Sequence, residues 1–226
     1  MSWRDMGTRV SGAVVFDLDG TLVDSVPDLH AALNATLADL GRPPLDEADT
    51  RRFVGDGVAR LVERALAATG GAGDVEASVV RFRRYYDAAP AERSRPYPGA
   101  VAALDALSAD GWTLGICTNK PERPARALLA ALDLASHFAT VVGGDSTATL
   151  KPDPGPLRAA FDALGRDGPR LFVGDSEVDA ETAAAARVPF ALHTEGYRRG
   201  PAEAIEACAR FDAFAALPAL ARTLAR

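Results

Sequence analysis

Cysteine and long apolar runs are scarce in this sequence. Cysteine occurs twice in 226 residues, as Cys117 inside an apolar run and as Cys208 near the end. This scarcity excludes a disulfide framework and a zinc-ligand spacing, and it favours a reducing compartment. No run approaches the roughly 18 apolar residues of a membrane-spanning helix, and Asp17 interrupts the first run too early for a secretory signal. We therefore expect a cytoplasmic protein with no membrane partner.

Positive charge is also scarce. The chain has 25 lysines and arginines against 31 acids, which gives a formal net charge of −6. Such a chain lacks the overall basic surface by which proteins bind nucleic acid. The basic run RFRRYY (81–86) has helical spacing that places its aromatic residues largely on one face, which is typical of a packed helix. We expect no nucleic-acid partner.

What the sequence does contain is the composition of a globular protein and a repeated order of short apolar runs. Hydrophobic residues make up 48% of the chain and charged residues 25%. Runs that are apolar on both faces are typical of parallel strands covered by helices. Their alternation with helical patterns predicts an α/β protein with a doubly wound parallel sheet. The predicted strands are AVVF (13–16), WTLGIC (112–117), TVVGG (140–144), RLFVG (170–174) and PFALH (189–193), and the predicted helices are 98–110, 121–132, 154–164 and 177–186.

One segment breaks this order. Between about residue 25 and residue 93 the sequence has helical patterns and no convincing strand. The proline-rich stretch ERSRPYPG (92–99) then returns the chain to the α/β order. We therefore predict a helical domain at 25–92, inserted into a core domain that is formed by 1–24 and 93–226.

Polar side chains follow the predicted strands, at the edge of the sheet where open α/β folds bind ligands. Any one of them alone is a weak signal, since such residues also occur in ordinary turns and helix caps. Their convergence on one crevice is a stronger signal. The residues are Asp17 and Asp19 after the first strand, Thr118 and Asn119 after the second, Lys151 before a proline-rich helix start, and Asp175, Ser176 and Asp179 after 170–174.

Three acids in one crevice would repel each other, and this repulsion points to a cation. Carboxylates with waters and a substrate phosphate suit Mg²⁺. With Lys151 and the Thr118 hydroxyl, such a cation would neutralise and bind a phosphoryl group. One aspartate can then act as the nucleophile, while the second exchanges a proton with the leaving alcohol and the attacking water. The residues therefore predict phosphoryl transfer from a small phosphorylated metabolite.

Four stretches of the chain together resemble the motifs of a known family. In chain order they are DLDGTLVDS (17–25), CTNKP (117–121), LKPDPGP (150–156) and GDSEVDAETA (174–183). They resemble the four motifs of the haloacid dehalogenase superfamily and, within it, of the phosphoglycolate phosphatase group. The resemblance implies a Rossmann-like core with an α-helical cap inserted after the first motif. It also implies a phosphoric monoester hydrolase rather than a dehalogenase, because dehalogenating members lack the second aspartate.

The resemblance assigns reaction roles to the matching residues. Asp17 would be the nucleophile, and Asp19 would be the general acid and base. Thr118 and Lys151 would bind the phosphoryl group, with support from Asn119.

The same resemblance implies a Mg²⁺ site. The metal would be held by the Asp17 carboxylate, the Asp19 backbone carbonyl and the Asp175 carboxylate. Asp179 would orient the water ligands of the metal or the Lys151 side chain.

The segment FVGDGVAR (53–60) is the predicted loop that faces the substrate from the cap. It resembles the V-G-x-G stretch of phosphoglycolate phosphatases, in which backbone amides approach a small acidic substrate. Gly55 and Gly57 are therefore candidate substrate-binding residues, and Arg60 or Arg52 could clamp a carboxylate. The alternative is a turn between two helices in which both glycines only supply a positive φ.

The resemblance implies hydrolysis of 2-phosphoglycolate and leaves other activities open. A sugar-phosphate phosphatase or a β-phosphoglucomutase-like mutase carries the same core motifs. A phospho-acceptor signalling domain is less favoured, because it needs neither a general acid nor a cap. The sequence is equally compatible with a monomer and a homodimer.

One position departs from the family pattern. Where the family usually has a glycine after the helix of the fourth motif, this chain has Arg187 in the stretch AARVPF. If the backbone there is left-handed, a residue other than glycine costs roughly 1 kcal/mol.

Overall fold

The computed structural model describes residues 12–224, and within them it confirms the predicted α/β fold. Residues 1–11 and 225–226 of the predicted core lie outside the described residues. They include most of the N-terminal segment that we expect not to be a secretory signal. The strands are β1 (Ala13–Phe16), β2 (Val23–Asp24), β3 (Arg95–Pro96), β4 (Thr113–Cys117), β5 (Thr140–Val142), β6 (Arg170–Gly174), β7 (Phe190–His193) and β8 (Ala209–Phe211). The α-helices are α1 (Val26–Asp39), α2 (Glu47–Phe53), α3 (Val58–Ala68), α4 (Val75–Ala88), α5 (Ala100–Ala109), α6 (Glu122–Ala131), α7 (Gly155–Leu164), α8 (Glu177–Ala186) and α9 (Leu217–Leu224).

Six of these strands form a parallel sheet with the order β5-β4-β1-β6-β7-β8. The strand β1 pairs with β4 on one side and with β6 on the other, and all of its residues are buried. Because the strands are parallel, their carboxyl ends meet at one edge of the sheet. The polar residues that follow β1, β4 and β6 are therefore neighbours.

Helices cover both faces of the sheet, as a doubly wound fold requires. One apolar cluster joins β1 and β4 to α5, α6 and α9, and it contains Leu104, Leu128 and Leu217. A second cluster joins the opposite face to α7 and α8, and it contains Phe161 and Ala183. This burial on both faces is the physical reason why the strand sequences are continuously apolar rather than alternating.

The helices α1–α4 follow β2 and precede β3, and together they form the unit that we call the cap. They share an apolar cluster of their own, which includes Leu33, Leu61 and Phe82. The two-residue strands β2 and β3 pair antiparallel where the chain leaves the sheet region and returns to it. The absence of longer strands between residues 25 and 93 agrees with the sequence analysis. The domain boundaries at 24/25 and 92/93 remain predictions.

Several short elements were not predicted. The helix α2 begins after Asp46, whose side chain accepts a 2.6 Å hydrogen bond from the backbone N–H of Asp49. The strand β8 and the helix α9 complete the far edge and one face of the sheet. Across residues 12–224, no helix is both long enough and apolar enough to cross a bilayer.

Candidate active site

The structure brings the four predicted motif segments together at the carboxyl edge of the sheet. Asp17 follows β1, Thr118 follows β4 and Asp175 follows β6, three strands that are neighbours in the sheet. Lys151 reaches the same edge from the segment between β5 and α7. All four side chains are buried, with 3–7% of Asp17, Thr118 and Lys151 and 1% of Asp175 exposed. The parallel topology thus places these side chains in one water-poor crevice.

Lys151 connects two of the acids in this crevice. Its ammonium Nζ lies 2.7 Å from Asp17 Oδ1 and 2.6 Å from Asp179 Oδ1. Burial disfavours the charged lysine, but the two carboxylates outweigh burial and raise the pKa of Lys151. For Asp17 burial is the larger effect and raises its pKa to about 6, while Lys151 opposes the rise. Lys151 is therefore held charged beside a carboxylate that is costly to ionise.

Three buried acids lie close enough together to share a cation. Asp17, Asp175 and Asp179 each offer a carboxylate oxygen, and these oxygens lie within 4.8 Å of one another. Burial, together with the charges of Asp179 and Asp17, raises the pKa of Asp175 well above its usual value. Hard oxygen ligands in a site that is strained by like charges fit a divalent cation such as Mg²⁺.

The hydrogen bonds distinguish the two acids that follow β6. Asp179 Oδ1 accepts from Lys151, and its Oδ2 accepts from the hydroxyl of Ser176 at 2.7 Å and from the Ser176 N–H at 3.2 Å. Asp175 Oδ1 accepts from the Thr21 hydroxyl at 2.6 Å. Asp179 is thus an ion-pair partner of Lys151 and also caps the start of α8, which suits it to orient other groups.

Asp19 lies on the cap side of the crevice, next to a lysine that the sequence analysis did not select. Its Oδ1 accepts a 2.5 Å hydrogen bond from the Ser25 hydroxyl. The Nζ of Lys120 lies 3.1 Å from both oxygens of Asp19 and 4.5 Å from the centre of the Tyr86 ring. Burial again opposes the charge, and Asp19 and Tyr86 outweigh it and raise the pKa of Lys120. A second buried ion pair therefore lies beside the first.

The position of Lys120 within the motif CTNKP carried a signal that could have identified it. Lys120 is only two residues after Thr118, so its backbone cannot lie far from the site. The backbone N–H of Lys120 also donates a 3.2 Å hydrogen bond to Thr118 Oγ1, which fixes the two residues relative to each other. The choice of Thr118 as a site residue thus already implied a basic side chain nearby.

Asn119 binds protein groups with the whole of its side-chain amide. Its Oδ1 accepts from the backbone N–H of Lys151 at 2.9 Å, and its Nδ2 donates to the backbone carbonyl of Lys151 at 3.0 Å. The same Nδ2 donates to the carbonyl of Gly55 in the cap at 3.1 Å. These bonds place Asn119 as a residue that positions Lys151 and the cap loop.

The predicted loop with Gly55 and Gly57 joins α2 to α3 and lies over the crevice. Both glycines have positive φ angles, 119° and 88°, which side chains other than glycine rarely adopt. A Cβ atom on Gly57 would lie 3.6 Å from the backbone oxygen of Asn119. The loop is thus the helix-to-helix turn of the alternative interpretation, and it also faces the site as the resemblance implies.

Two cavities meet at Asp17 and Asp19. The smaller, which we call the core-side cavity, is mainly polar and is lined by Asp17, Asp19, Val54, Gly55, Lys151, Asp175, Ser176, Asp179 and Tyr197. The larger, which we call the cap-side cavity, has walls that are largely apolar. Its apolar lining comprises Leu29, Val54, Val58, Leu61, Phe82, Tyr86, Pro121 and Pro124, and its other lining residues are Asp17, Asp19, Gly55, Gly57, Arg83, Asp87, Thr118, Asn119 and Lys120.

The structure does not bring the two candidate arginines to the cap-side cavity. Arg60 is exposed, and its guanidinium lies 2.5 Å from Glu63 one turn along α3. Arg52 is also exposed and pairs with Asp49. Neither is among the described residues that line the cap-side cavity. In this structure both side chains turn toward solvent and a nearby acid, and a carboxylate clamp by Arg60 or Arg52 stays a prediction.

Tyr197 is a further residue that the sequence did not indicate. Its backbone N–H donates a 2.5 Å hydrogen bond to Asp175 Oδ2. Its hydroxyl donates to Asp24 and accepts from the backbone N–H groups of Ser25 and Val26 at 2.8 and 3.1 Å. Tyr197 therefore connects Asp175, one of the three neighbouring acids, to the segment through which the chain enters the cap. No motif marked this residue, since it lies in the loop after β7.

The fold and the site together define a class of protein. A parallel sheet carries paired aspartates and a buried lysine at its carboxyl edge, and a helical cap covers them; this is the arrangement of a hydrolase that transfers phosphoryl groups. The family model described as haloacid dehalogenase-like hydrolase matches residues 12–187. The chain belongs to the haloacid dehalogenase-like hydrolases.

Relatives and solved structures agree with this assignment. The phosphoglycolate phosphatase of Rhodospirillum rubrum is 51% identical over 213 residues, which are 91% of this chain and 88% of that protein. A phosphoglycolate phosphatase of Cereibacter sphaeroides is 48% identical over 93% of this chain and 98% of its own length. The crystal structure of a predicted phosphoglycolate phosphatase from Haemophilus somnus superposes with a TM-score of 0.88 at 31% identity, covering 95% of this chain and 99% of that one.

Proposed function

We propose that this chain is a Mg²⁺-dependent phosphatase that hydrolyses 2-phosphoglycolate to glycolate and phosphate through an aspartyl-phosphate on Asp17. The observation that carries the proposal is the position of Asp17 at the junction of the two cavities. On its core side Lys151 Nζ lies 2.7 Å away, and on its cap side the cavity has room for an organic group. The names of the relatives in Rhodospirillum rubrum and Cereibacter sphaeroides support the choice of substrate.

The core-side cavity would bind the phosphoryl group. The ammonium of Lys151 would donate hydrogen bonds to its oxygens, and so would the hydroxyl of Thr118 from the adjoining cap-side cavity. Mg²⁺, held by the carboxylates of Asp17 and Asp175 and the backbone carbonyl of Asp19, would supply neutralisation of the phosphate charge. The raised pKa values of Asp17 and Asp175 support this metal site, because a cation would lower the cost of ionising both groups together.

The reaction then needs two displacements at phosphorus. In the first, a carboxylate oxygen of Asp17 attacks the phosphorus, the ester P–O bond breaks, and Asp19 gives its proton to the leaving glycolate oxygen. In the second, Asp19 takes a proton from a water molecule whose oxygen attacks the phosphorus of the aspartyl-phosphate. The P–O bond to Asp17 breaks, which releases phosphate and restores the carboxylate.

The apolar cap-side cavity favours a small substrate over a sugar phosphate. Leu29, Val58, Leu61 and Phe82 line it from the cap. A hexose presents hydroxyl groups on every side, and burying a hydroxyl without a hydrogen-bond partner costs roughly 1–3 kcal/mol. Phosphoglycolate buries a single polar group besides its phosphate, the carboxylate, and therefore needs only one charged partner in the cavity. The composition of this wall supports phosphoglycolate rather than hexose phosphates.

The proposal is tested by phosphate release from 2-phosphoglycolate, glucose 6-phosphate and β-glucose 1-phosphate, each with Mg²⁺ and with excess EDTA. We expect rapid release from 2-phosphoglycolate with Mg²⁺ only, and at least a tenfold lower kcat/KM for both sugars. Equal turnover of the sugars would overturn the substrate assignment in favour of a sugar-phosphate phosphatase. Conversion of β-glucose 1-phosphate to the 6-phosphate without phosphate release would identify a mutase, and a stable phosphoprotein without turnover would identify a signalling domain.

We also propose that the enzyme acts in the cytoplasm on a free metabolite, as a monomer or a homodimer. Both cysteines are free thiols, which supports a reducing compartment. Light scattering of the purified protein would distinguish the two oligomeric states.

A further inference from the structure

The reaction described above makes no use of Lys120, although its ammonium is buried beside the general acid. The Lys120 side chain is 6% exposed, and its Nζ lies 3.1 Å from both oxygens of Asp19. Its other neighbour is the ring of Tyr86 in α4 of the cap, at 4.5 Å. A buried lysine is costly unless it is paired, and Asp19 is its one carboxylate partner among the ion pairs of residues 12–224. Such a group calls for a functional explanation.

The position of Lys120 relative to the leaving group follows from Asp19. To protonate the leaving oxygen, Asp19 must lie within hydrogen-bond distance of it, and Asp19 is already in contact with Lys120. The Lys120 ammonium and the leaving oxygen therefore lie roughly 4–6 Å apart, on either side of one carboxylate. The substrate atoms that follow the leaving oxygen must pass close to Lys120.

The substrate of the proposed function has a carboxylate at this place. In 2-phosphoglycolate a single methylene separates the ester oxygen from the carboxyl carbon. The carboxylate oxygens therefore reach hydrogen-bond distance of an ammonium that lies next to the leaving oxygen. In a hexose phosphate the atoms at this distance are neutral ring carbons and hydroxyl groups, so the ammonium gains no counter-ion.

The rest of the cap-side cavity offers few other cations. The described lining residues with a positive charge are Lys120 and Arg83, and Arg83 is exposed on α4. A partner that is buried makes a stronger hydrogen bond with a carboxylate than one that is exposed to water, because the local dielectric is lower. Lys120 is therefore better suited than Arg83 to recognise an acidic group that is enclosed under the cap.

We propose that Lys120 binds the carboxylate of the substrate and so selects a short phosphorylated acid over a neutral phosphate monoester of the same length. This inference rests on the proposed function. It makes Lys120 a specificity-determining residue, whose ammonium bridges Asp19 and the acidic end of the substrate. A residue that only positioned Asp19 would instead affect every monoester equally.

The experiment compares 2-phosphoglycolate with 2-hydroxyethyl phosphate, in which a hydroxymethyl group replaces the carboxylate. The enzymes are the wild type, Lys120→Met, Lys120→Gln, Lys120→Arg, Arg83→Met and Arg84→Met, all assayed with Mg²⁺ as full-length protein. Arg84 is the matched control, because it lies on α4 next to Arg83 and pairs with Asp39 but does not line the cap-side cavity. The readout is the ratio of kcat/KM for the acid to kcat/KM for the alcohol.

We expect the wild type and Arg84→Met to favour the acid by about 10- to 100-fold, which is the range of one charge-assisted hydrogen bond. In Lys120→Met and Lys120→Gln this ratio should fall to nearly one, even where both substrates also react more slowly because Asp19 has lost a partner. Lys120→Arg should keep most of the preference, since it keeps the charge. Two uncharged variants are used so that a folding defect in one, detected by circular dichroism, does not decide the result.

Four outcomes would overturn the inference. An unchanged ratio in Lys120→Met and Lys120→Gln, with lower rates on both substrates, would show that Lys120 only positions Asp19. A ratio that falls in Arg83→Met but not in the Lys120 variants would assign the carboxylate to Arg83. A wild type that hydrolyses 2-phosphoglycolate without preferring it over the alcohol would leave the proposed reaction intact and refute carboxylate recognition. A wild type that does not hydrolyse 2-phosphoglycolate at all would refute the proposed function, and the inference with it.

Discussion

Each side of the site holds a lysine that is paired with aspartate, but the groups around the two lysines come from different parts of the molecule. On the core side Lys151 pairs with Asp17 and Asp179, which lie after β1 and in the first turn of α8, so that all three side chains come from outside the cap. On the cap side Lys120 pairs with Asp19 and packs on Tyr86, which belongs to a cap helix. The core-side ion pairs form without a cap residue, whereas Lys120 packs directly on one. The difference suggests that the chemistry of phosphorus is built into the core and that the choice of substrate is made where the core meets the cap.

The largest effect should come from removing the nucleophile on the core side. In Asp17→Asn an amide replaces the attacking carboxylate, so no aspartyl-phosphate can form. We expect kcat for 2-phosphoglycolate to fall by about 10⁴-fold or more, as when other catalytic nucleophiles are removed. Phosphate release and trapping of the phosphoenzyme would measure both consequences.

The matched control for this change is Asp162→Asn. Asp162 is an exposed acid on α7, so its substitution removes the same charge without touching either cavity. Its activity should equal that of the wild type. A substantially active Asp17→Asn variant with an unchanged circular dichroism spectrum would refute nucleophilic catalysis by Asp17.

Stability should distinguish the two lysines more directly. In Lys151→Met the carboxylates of Asp17 and Asp179 lose a shared buried cation, and an uncompensated buried charge costs about 3–5 kcal/mol. In Lys120→Met only one carboxylate, that of Asp19, loses its cation, and it keeps the Ser25 hydroxyl, so we expect a loss of about 1–2 kcal/mol. Urea unfolding in EDTA at neutral pH would measure both free energies.

Equal losses for the two variants would contradict the comparison between the two sides. The result would mean that the cap-side ion pair is as tightly enclosed as the core-side pair. At about pH 5 we expect a smaller difference between the two losses. Asp17 has a pKa of about 6, so at this pH it is mostly protonated and little charge is left without a partner when Lys151 is removed.

Whether a site residue can be predicted from the sequence depends on whether the sheet sets its position. Asp17, Thr118 and Asp175 were predictable because parallel strands end at one edge and place the following residues together. Lys151 was predictable through its motif. The family and the α/β fold with an inserted helical segment were likewise recognisable, since apolar runs and motif spacing are local features of the chain.

Residues whose partners come from distant elements were not predictable in this way. The importance of Lys120 depends on Tyr86 in α4, and that of Tyr197 depends on Asp175 and on the segment before α1. The direction of the Arg60 side chain was not predictable for the same reason, because sequence spacing does not show which way a side chain turns on a cap helix. The helix α2 is only seven residues long, too short for a periodic apolar pattern.

Metal binding should act on the core side alone and should depend on pH. The raised pKa values of Asp17, about 6, and of Asp175 mean that the folded metal-free protein binds more protons than the unfolded chain. Its stability therefore falls as pH rises from about 4 through 6. Mg²⁺ competes with these protons, so its stabilisation should grow over the same interval.

The expected stabilisation by saturating Mg²⁺ is about 1–3 kcal/mol at about pH 7.5 and nearly zero at about pH 5, measured by thermal unfolding. The variant Lys120→Met should show the same dependence, because its change lies on the cap side. A Mg²⁺ effect that is independent of pH would contradict the assignment of these buried acids as ligands, and so would a loss of the effect in Lys120→Met.

The smallest expected effect concerns a residue outside both cavities, and it shows how far stability can change without altering either side of the site. Arg187 follows α8 with φ 61° and ψ 45°, which is a left-handed backbone conformation. This is the conformation in which the glycine that the family usually has at this position would be free of strain. The Arg187 side chain is exposed. In Arg187→Gly, relief of roughly 1 kcal/mol of backbone strain is partly offset by the greater freedom of glycine in the unfolded chain, which leaves a net gain of about 0.5 kcal/mol. Urea unfolding would measure the gain, and kcat/KM for both test esters should stay at the wild-type values. A loss of stability would mean that the arginine makes favourable interactions that outweigh the strain of its backbone.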